Sequence, residues 1–214
     1  MIEDLMREIA SVYREGGEWC ALDKAQGLAA LVIGLRPKVA CEIGVWMGGS
    51  LIPIALAMRT IGQLEDANGF AVTRRRVIAI DSWSPAESTV GQEGADADWW
   101  RTVDHEEAMR AFLARLDRHG LEDLCRVVRA PSSDAEVPDS IDLLHVDGNH
   151  ADQAIRDVVR FAPAVPEGGI LVLDDLDWRG GYVRGARAAA MELGFVDLYP
   201  LGSGVVMQRR IASD

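Results

Sequence analysis

Residues 141–150 read IDLLHVDGNH. An apolar run ends in a carboxylate (Asp147), a glycine that permits a turn (Gly148), an amide (Asn149) and an imidazole (His150). A second run, GGILVLDD, ends in the pair Asp174 and Asp175. Crowded carboxylates need cations or hydroxyl partners to offset their repulsion. Oxygen ligands with open water positions suit Mg²⁺, Mn²⁺ or Ca²⁺ rather than zinc. If the two runs are neighbouring strands, about 4.8 Å apart, then Asp147, Asp174 and Asp175 can converge on one such ion. Taken singly, each aspartate can equally cap a turn or bond backbone. His150 stands past the glycine, where it can serve as a base or orient a ligand; a structural role stays open. His145 shares a face with Asp147 but lies deeper, so it reads as a satisfied core histidine.

Two further strand ends carry chemistry. CEIGVWMGGS places Glu42 before Gly44, Gly48, Gly49 and Ser50. Gly44 allows a tight turn, and the later glycines allow close approach to the start of the next helix, whose free N–H groups point outward. The pattern is not the dinucleotide fingerprint GxGxxG. An acid ahead of the glycines repels phosphate and suits a cationic ligand. In VIAIDSW the apolar run closes at Asp81, where Rossmann-type nucleoside sites hold ribose hydroxyls. In an open parallel sheet, ligands bind beyond the carboxyl ends of the strands, so these acids belong to one edge.

That edge requires a particular scaffold. Apolar runs at 38–45, 76–83, 125–131, 141–148 and 168–175 alternate with helical patterns at 50–62, 105–120, 151–165 and 182–194. Such alternation implies right-handed crossovers and a mostly parallel sheet covered on both faces. FVDLYPLG and GVVMQRR flank a Gly-Ser-Gly turn and close the chain as a hairpin. The expected fold is therefore α/β and Rossmann-like, with seven strands and an antiparallel strand near the C-terminus. Residues 1–35 predict two helices, Asp4 to Arg14 and Leu22 to Leu35, forming an N-terminal extension to a domain at 36–214. Residues 84–103 break the rhythm as a long polar segment ending near Trp99 and Trp100. Long loops in compact domains are usually functional. The tryptophans either anchor the next helix or form an aromatic lid over a small molecule.

Composition narrows the partners. The 214 residues carry 34 acidic against 22 basic side chains, a net charge of -12, which argues against a nucleic-acid surface. The run Arg74-Arg75-Arg76 reads as a solvated strand entrance. Three widely spaced cysteines match no zinc or redox pattern and are expected to be reduced thiols in the cytoplasm. No apolar stretch has membrane-spanning length, and residues 1–16 lack a signal-peptide core. The leading helices suggest a homo-oligomer.

The segments CEIGVWMGGS, VIAIDSW, IDLLHVDGNHADQAIRDV and PEGGILVLDD together resemble the class I S-adenosylmethionine-dependent methyltransferases. More narrowly, they resemble the metal-dependent small-molecule O-methyltransferases of the macrocin-type and cephalosporin-hydroxylase-like branch, over about Val39 to Gln208. The resemblance implies a Mg²⁺-dependent O-methyltransferase acting on a sugar, catechol-like or other natural-product hydroxyl. Glu42 and Gly44, with Gly48 and Ser50, would line the methionine part of the cofactor. Asp81 would hold the ribose, and Ser132 would approach the adenine. Asp147, Asp174 and Asp175 would bind the metal, with His150 as the base. Asp177 and Trp178, with Trp99 and Trp100, would touch substrate. The chain departs from the family after the third strand, where it reads RAPSS rather than Gly-Asp, and its sequence places no lysine beside the proposed metal site. Alternatives are a metal-independent methyltransferase, a non-catalytic module holding S-adenosylmethionine or a nucleoside, and, more distantly, an NAD oxidoreductase.

Overall fold

A computed structural model describes residues 1–17 and 19–211. The five apolar runs form β1 (Val39–Ile43), β2 (Arg76–Asp81), β3 (Cys125–Arg129), β4 (Leu143–Val146) and β5 (Ile170–Leu173). The closing hairpin is β6 (Phe195–Leu201) and β7 (Gly204–Arg209). The seven strands make one sheet in the order β3-β2-β1-β4-β5-β7-β6. β1 to β5 pair in parallel, and β7 runs antiparallel to both β5 and β6. Strand order reverses between β1 and β4, so their carboxyl ends open the crevice where ligands bind in such sheets.

Helices cover both faces. α1 (Ile2–Val12), α2 (Leu22–Leu35), α3 (Leu51–Ala67) and α6 (His105–Arg118) share one core with the sheet, which includes Leu28, Leu56, Phe112 and Val172. α7 (Asp152–Phe161) and α8 (Tyr182–Glu192) bury Val158, Phe161 and Ala186 on the other. The N-terminal helices therefore pack within the same core as the sheet. α2 has the expected bounds and ends at Arg36, which takes a left-handed φ of 54° before Pro37. α6 starts at an N-cap, Asp104, whose side chain accepts the Glu107 N–H at 2.8 Å, as short polar residues do at helix starts.

Two expectations change. Residues 84–103 are not an irregular loop: they hold α4 (Pro85–Ser88) and α5 (Gly94–Thr102). Helices this short are marginal alone and depend on packing; α5 rests on Trp99, Trp100 and buried Ala97. The arginine run is only partly solvated. The Arg75 side chain is buried and pairs with Glu65 at 2.6 Å. Hydrogen bonds from Arg75, the Thr73 N–H and Arg36 hold the Glu65 carboxyl well below the usual range, with burial opposing them. No helix among the described residues is long and apolar enough to cross a membrane.

Candidate active site

A cleft opens over the carboxyl ends of β1, β2, β4 and β5. Its first wall is the turn after β1. Gly44 has φ +85°, and its N–H donates to the Ile80 carbonyl at 2.9 Å. Trp46 follows with φ +48°, and Trp83, after β2, has φ +41°. Bulky residues in this region carry strain of about 1–3 kcal/mol each and need fixing by their surroundings. Asp81 supplies that fixing. Its Oδ2 accepts the N–H groups of Val45 and Trp46, both at 2.8 Å, and its Oδ1 accepts the Trp83 N–H at 2.7 Å. Burial raises the Asp81 carboxyl, and these three N–H groups partly offset it. A carboxylate accepts about four hydrogen bonds, so one position on Oδ1 remains for a ligand hydroxyl.

The second wall is a cation-seeking centre. β4 and β5 are neighbours, with Val146 opposite Leu173. Asp147 and Asp175 face the cleft together with His150. His150 Nε2 lies 3.7 Å from Asp147 Oδ1 and 3.5 Å from Asp175 Oδ2, and has no hydrogen-bond partner. Ligand atoms of these three residues lie within 4.8 Å of one another. Asp175 has φ +50°, a conformation that aspartate tolerates better than most residues. Burial works to raise the Asp147 carboxyl, but the nearby His150 imidazole and the charge of Lys24 outweigh it and hold it low.

Asp174 does not join this set. It is buried, is absent from the cleft wall and forms an ion pair with Lys24 of α2. Its Oδ1 accepts the Asp175 N–H at 2.8 Å and the Ser203 hydroxyl at 2.9 Å. So a lysine does stand at the proposed metal site, delivered by a helix far away in the chain. Glu42 also turns away from the cleft. It is 1% exposed, opposite His145 in the β1–β4 register, and bonds His145 Nδ1 at 2.9 Å and the Ser50 hydroxyl at 2.8 Å. Burial raises the Glu42 carboxyl, partly offset by His145 and Ser50. His145 is thus the satisfied core histidine expected at Nδ1, while its Nε2 lacks a partner.

A family model described as a methyltransferase domain matches residues 41–176, more than half of the chain and all of these strand ends. The chain belongs to this methyltransferase family. No curated protein matches the sequence. Solved structures share the fold. The O-methyltransferase NovP is 22% identical, with a TM-score of 0.65 over 89% of this chain and 81% of that one. The SAH-bound methyltransferase PaMTH1 of Podospora anserina is 16% identical, with a TM-score of 0.64 over 98% and 88%. The O-methyltransferase TomG of Streptomyces achromogenes, involved in tomaymycin synthesis and solved with SAM, is 15% identical, with a TM-score of 0.60 over 97% and 90%.

In this methyltransferase, Gly44, Ser50, Asp81, Ser132, Asp147, His150, Asp175, Trp100 and Trp178 line the cleft. Glu42, Gly48, Asp174, Asp177 and Trp99 do not. Gly48 serves packing instead: a Cβ there would meet Phe112 at 2.7 Å and Ile52 at 2.9 Å. Asp177 is exposed. Trp99 meets Trp100 edge to face, with centroids 4.7 Å apart, and reaches Trp19 at 5.1 Å. The two tryptophans thus divide the work: Trp99 anchors α5, and Trp100 walls the cleft. Sequence reasoning missed Trp19, Cys20, Lys24, Gln153 and Asp157 around the site. Burial pushes the Cys20 thiol up to about 12, which removes it as a nucleophile at neutral pH. Asn149 fastens the α4 segment over the cleft. Its Nδ2 donates to the carbonyls of Glu87 (3.1 Å) and Val90 (2.8 Å), and its Oδ1 accepts from Gln92 Nε2 at 3.2 Å.

Proposed function

We propose that this methyltransferase binds S-adenosylmethionine along Gly44–Ser50 and Asp81 and methylates a hydroxyl of a small molecule, with a divalent cation held by Asp147 and Asp175. The observation that carries the reading is the meeting of Asp147, Asp175 and His150 at the cleft edge, beside the glycine turn. Two carboxylates facing an open cleft fit Mg²⁺ or Mn²⁺ with water in the remaining positions, and the imidazole beside them stays free to act as a base. The family resemblance and the folds shared with O-methyltransferases support the same chemistry.

The bound donor supplies an electrophilic methyl, and the ion supplies Lewis acidity that lowers the pKa of a hydroxyl. The chain's own part is positioning and proton handling. His150 Nε2 takes the hydroxyl proton. Trp178, with its ring centroid 4.7 Å from that of His150, fixes the imidazole plane. Trp100 and the Asn149-tethered α4 segment restrict water at the reacting oxygen. Asp81 fixes the turn after β1 and keeps one acceptor position for the ribose. Ser132, which accepts from Gln153 Nε2 at 3.1 Å, marks the adenine end.

A second reading is favoured by one contact. The Lys24 ammonium touches Asp174 and stands 3.9 Å from Asp147, which would suit transfer without a metal. Chelation separates the two. On the first reading, EDTA abolishes turnover and added Mg²⁺ or Mn²⁺ restores it. Turnover unchanged after exhaustive chelation would install the second.

A further inference from the structure

α2 is almost wholly apolar, yet Lys24 sits in its first turn at 5% exposure. A buried ammonium persists only where carboxylates compensate it. At this end of the helix the macrodipole is also positive, which opposes a lysine. Its compensation comes from Asp174 directly and from Asp147 at 3.9 Å. The stem is held by the β6–β7 turn, where a Cβ on Gly202 would lie 3.3 Å from Lys24 Cδ. Beneath, the unpartnered Nε2 of fully buried His145 has its ligand atom within 4.8 Å of those of Asp147 and Asp174. On the buried side of the cluster, Lys24 is the cation that Asp174 and Asp147 meet.

We propose that Lys24 is a positioning residue that holds Asp174 out of the cleft and sets the cation affinity of the centre. Resting on the function proposed above, the centre then presents two carboxylates to the ion rather than three, with the His150 imidazole beside them as the base. The third acid is neutralised by an ammonium from the N-terminal helix. The device weakens the ion's hold by withdrawing a ligand, since the Lys24–Asp174 pair is itself neutral.

The test is a Mn²⁺ titration of the full chain, read by electron paramagnetic resonance and by calorimetry. Lys24→Met is expected to bind Mn²⁺ about tenfold tighter than wild type or more, a change of about 1.4 kcal/mol. Lys24→Arg, which keeps the charge, is expected to stay near wild type. The double variant Lys24→Met/Asp174→Asn removes both charges while Asn keeps an acceptor for Ser203, so it guards against a misfolded single variant. Its Mn²⁺ affinity is expected to match wild type. A folded Lys24→Met with equal or weaker affinity overturns the proposal. So does a double variant that loses Mn²⁺ binding, since Asp174 would then itself be a ligand. Absence of Mn²⁺ binding in every variant overturns both this proposal and the cation reading. Failure of methyl transfer alone, with Mn²⁺ affinities as expected, overturns only the proposed reaction.

Discussion

His150→Ala is expected to lower the methyl-transfer rate by about 10²–10⁴-fold, the usual contribution of a positioned acid or base. Binding of S-adenosylhomocysteine should be unchanged, because in the proposed function His150 serves the acceptor and the donor lies along the turn after β1. The surroundings of the imidazole support that proposed role. Its Nε2 is unpartnered and lies between Asp147 and Asp175 at 3.7 and 3.5 Å. The ring is braced by Trp178. Imidazole added to the buffer should recover part of the rate in the alanine variant, since the space vacated lies in the open cleft. Single-turnover kinetics beside calorimetry separates the two effects. A variant with the full rate would remove His150 from the reaction.

Gly44→Ala should be the most damaging single change to the scaffold. With φ at +85°, any L side chain there is strained. The added Cβ would also run into the Asp147 carbonyl and lie 2.5 Å from both Asp147 C and Gly148 Cα. All three are backbone atoms, so no rotamer change relieves the clash, and the ends of β1 and β4 must separate. Strain and overpacking together cost about 3 kcal/mol or more, which at this chain length lowers Tm by about 6–12 °C. Because the displaced backbone carries Asp147, cofactor and cation affinities should fall too. Gly34→Ala is the contrast: it lies within α2 with nothing within 4 Å of an added Cβ, so its Tm should hold or rise slightly. Thermal melting of both variants checks the pair, and a wild-type Tm for Gly44→Ala would contradict the close approach of the two strand ends.

Much of this arrangement was legible in the chain because it is local. The apolar runs found the strands, and the acids closing them fall at one sheet edge because parallel strands share a direction. α2 could be bounded from Leu22 to Leu35 because its apolar run stops at Pro37, which disfavours helical backbone before it. Other features depended on neighbours distant in sequence. Glu42 closes a strand as Asp81 does, but strand alternation cannot say which face meets the cleft. The β1–β4 register decides it, by setting Glu42 opposite His145. Asp81 looked like a ribose acceptor, and its work for the amides of Val45, Trp46 and Trp83 appears only once the two turns meet. Lys24 was hidden for the same reason: a lysine in an N-terminal helix gives no local sign that it will reach the end of β5. The short helix α5 is held by the tryptophan packing and α4 by Asn149, distant contacts that no propensity reading supplies.

If the cleft over β1, β2 and β4 is the donor site for methyl transfer, calorimetric titration of the wild-type chain with S-adenosylhomocysteine, and separately with NAD, shows it most directly. Saturable binding of one S-adenosylhomocysteine per chain and no binding of NAD is the expected result. Binding of NAD without S-adenosylhomocysteine, or of neither, would contradict it.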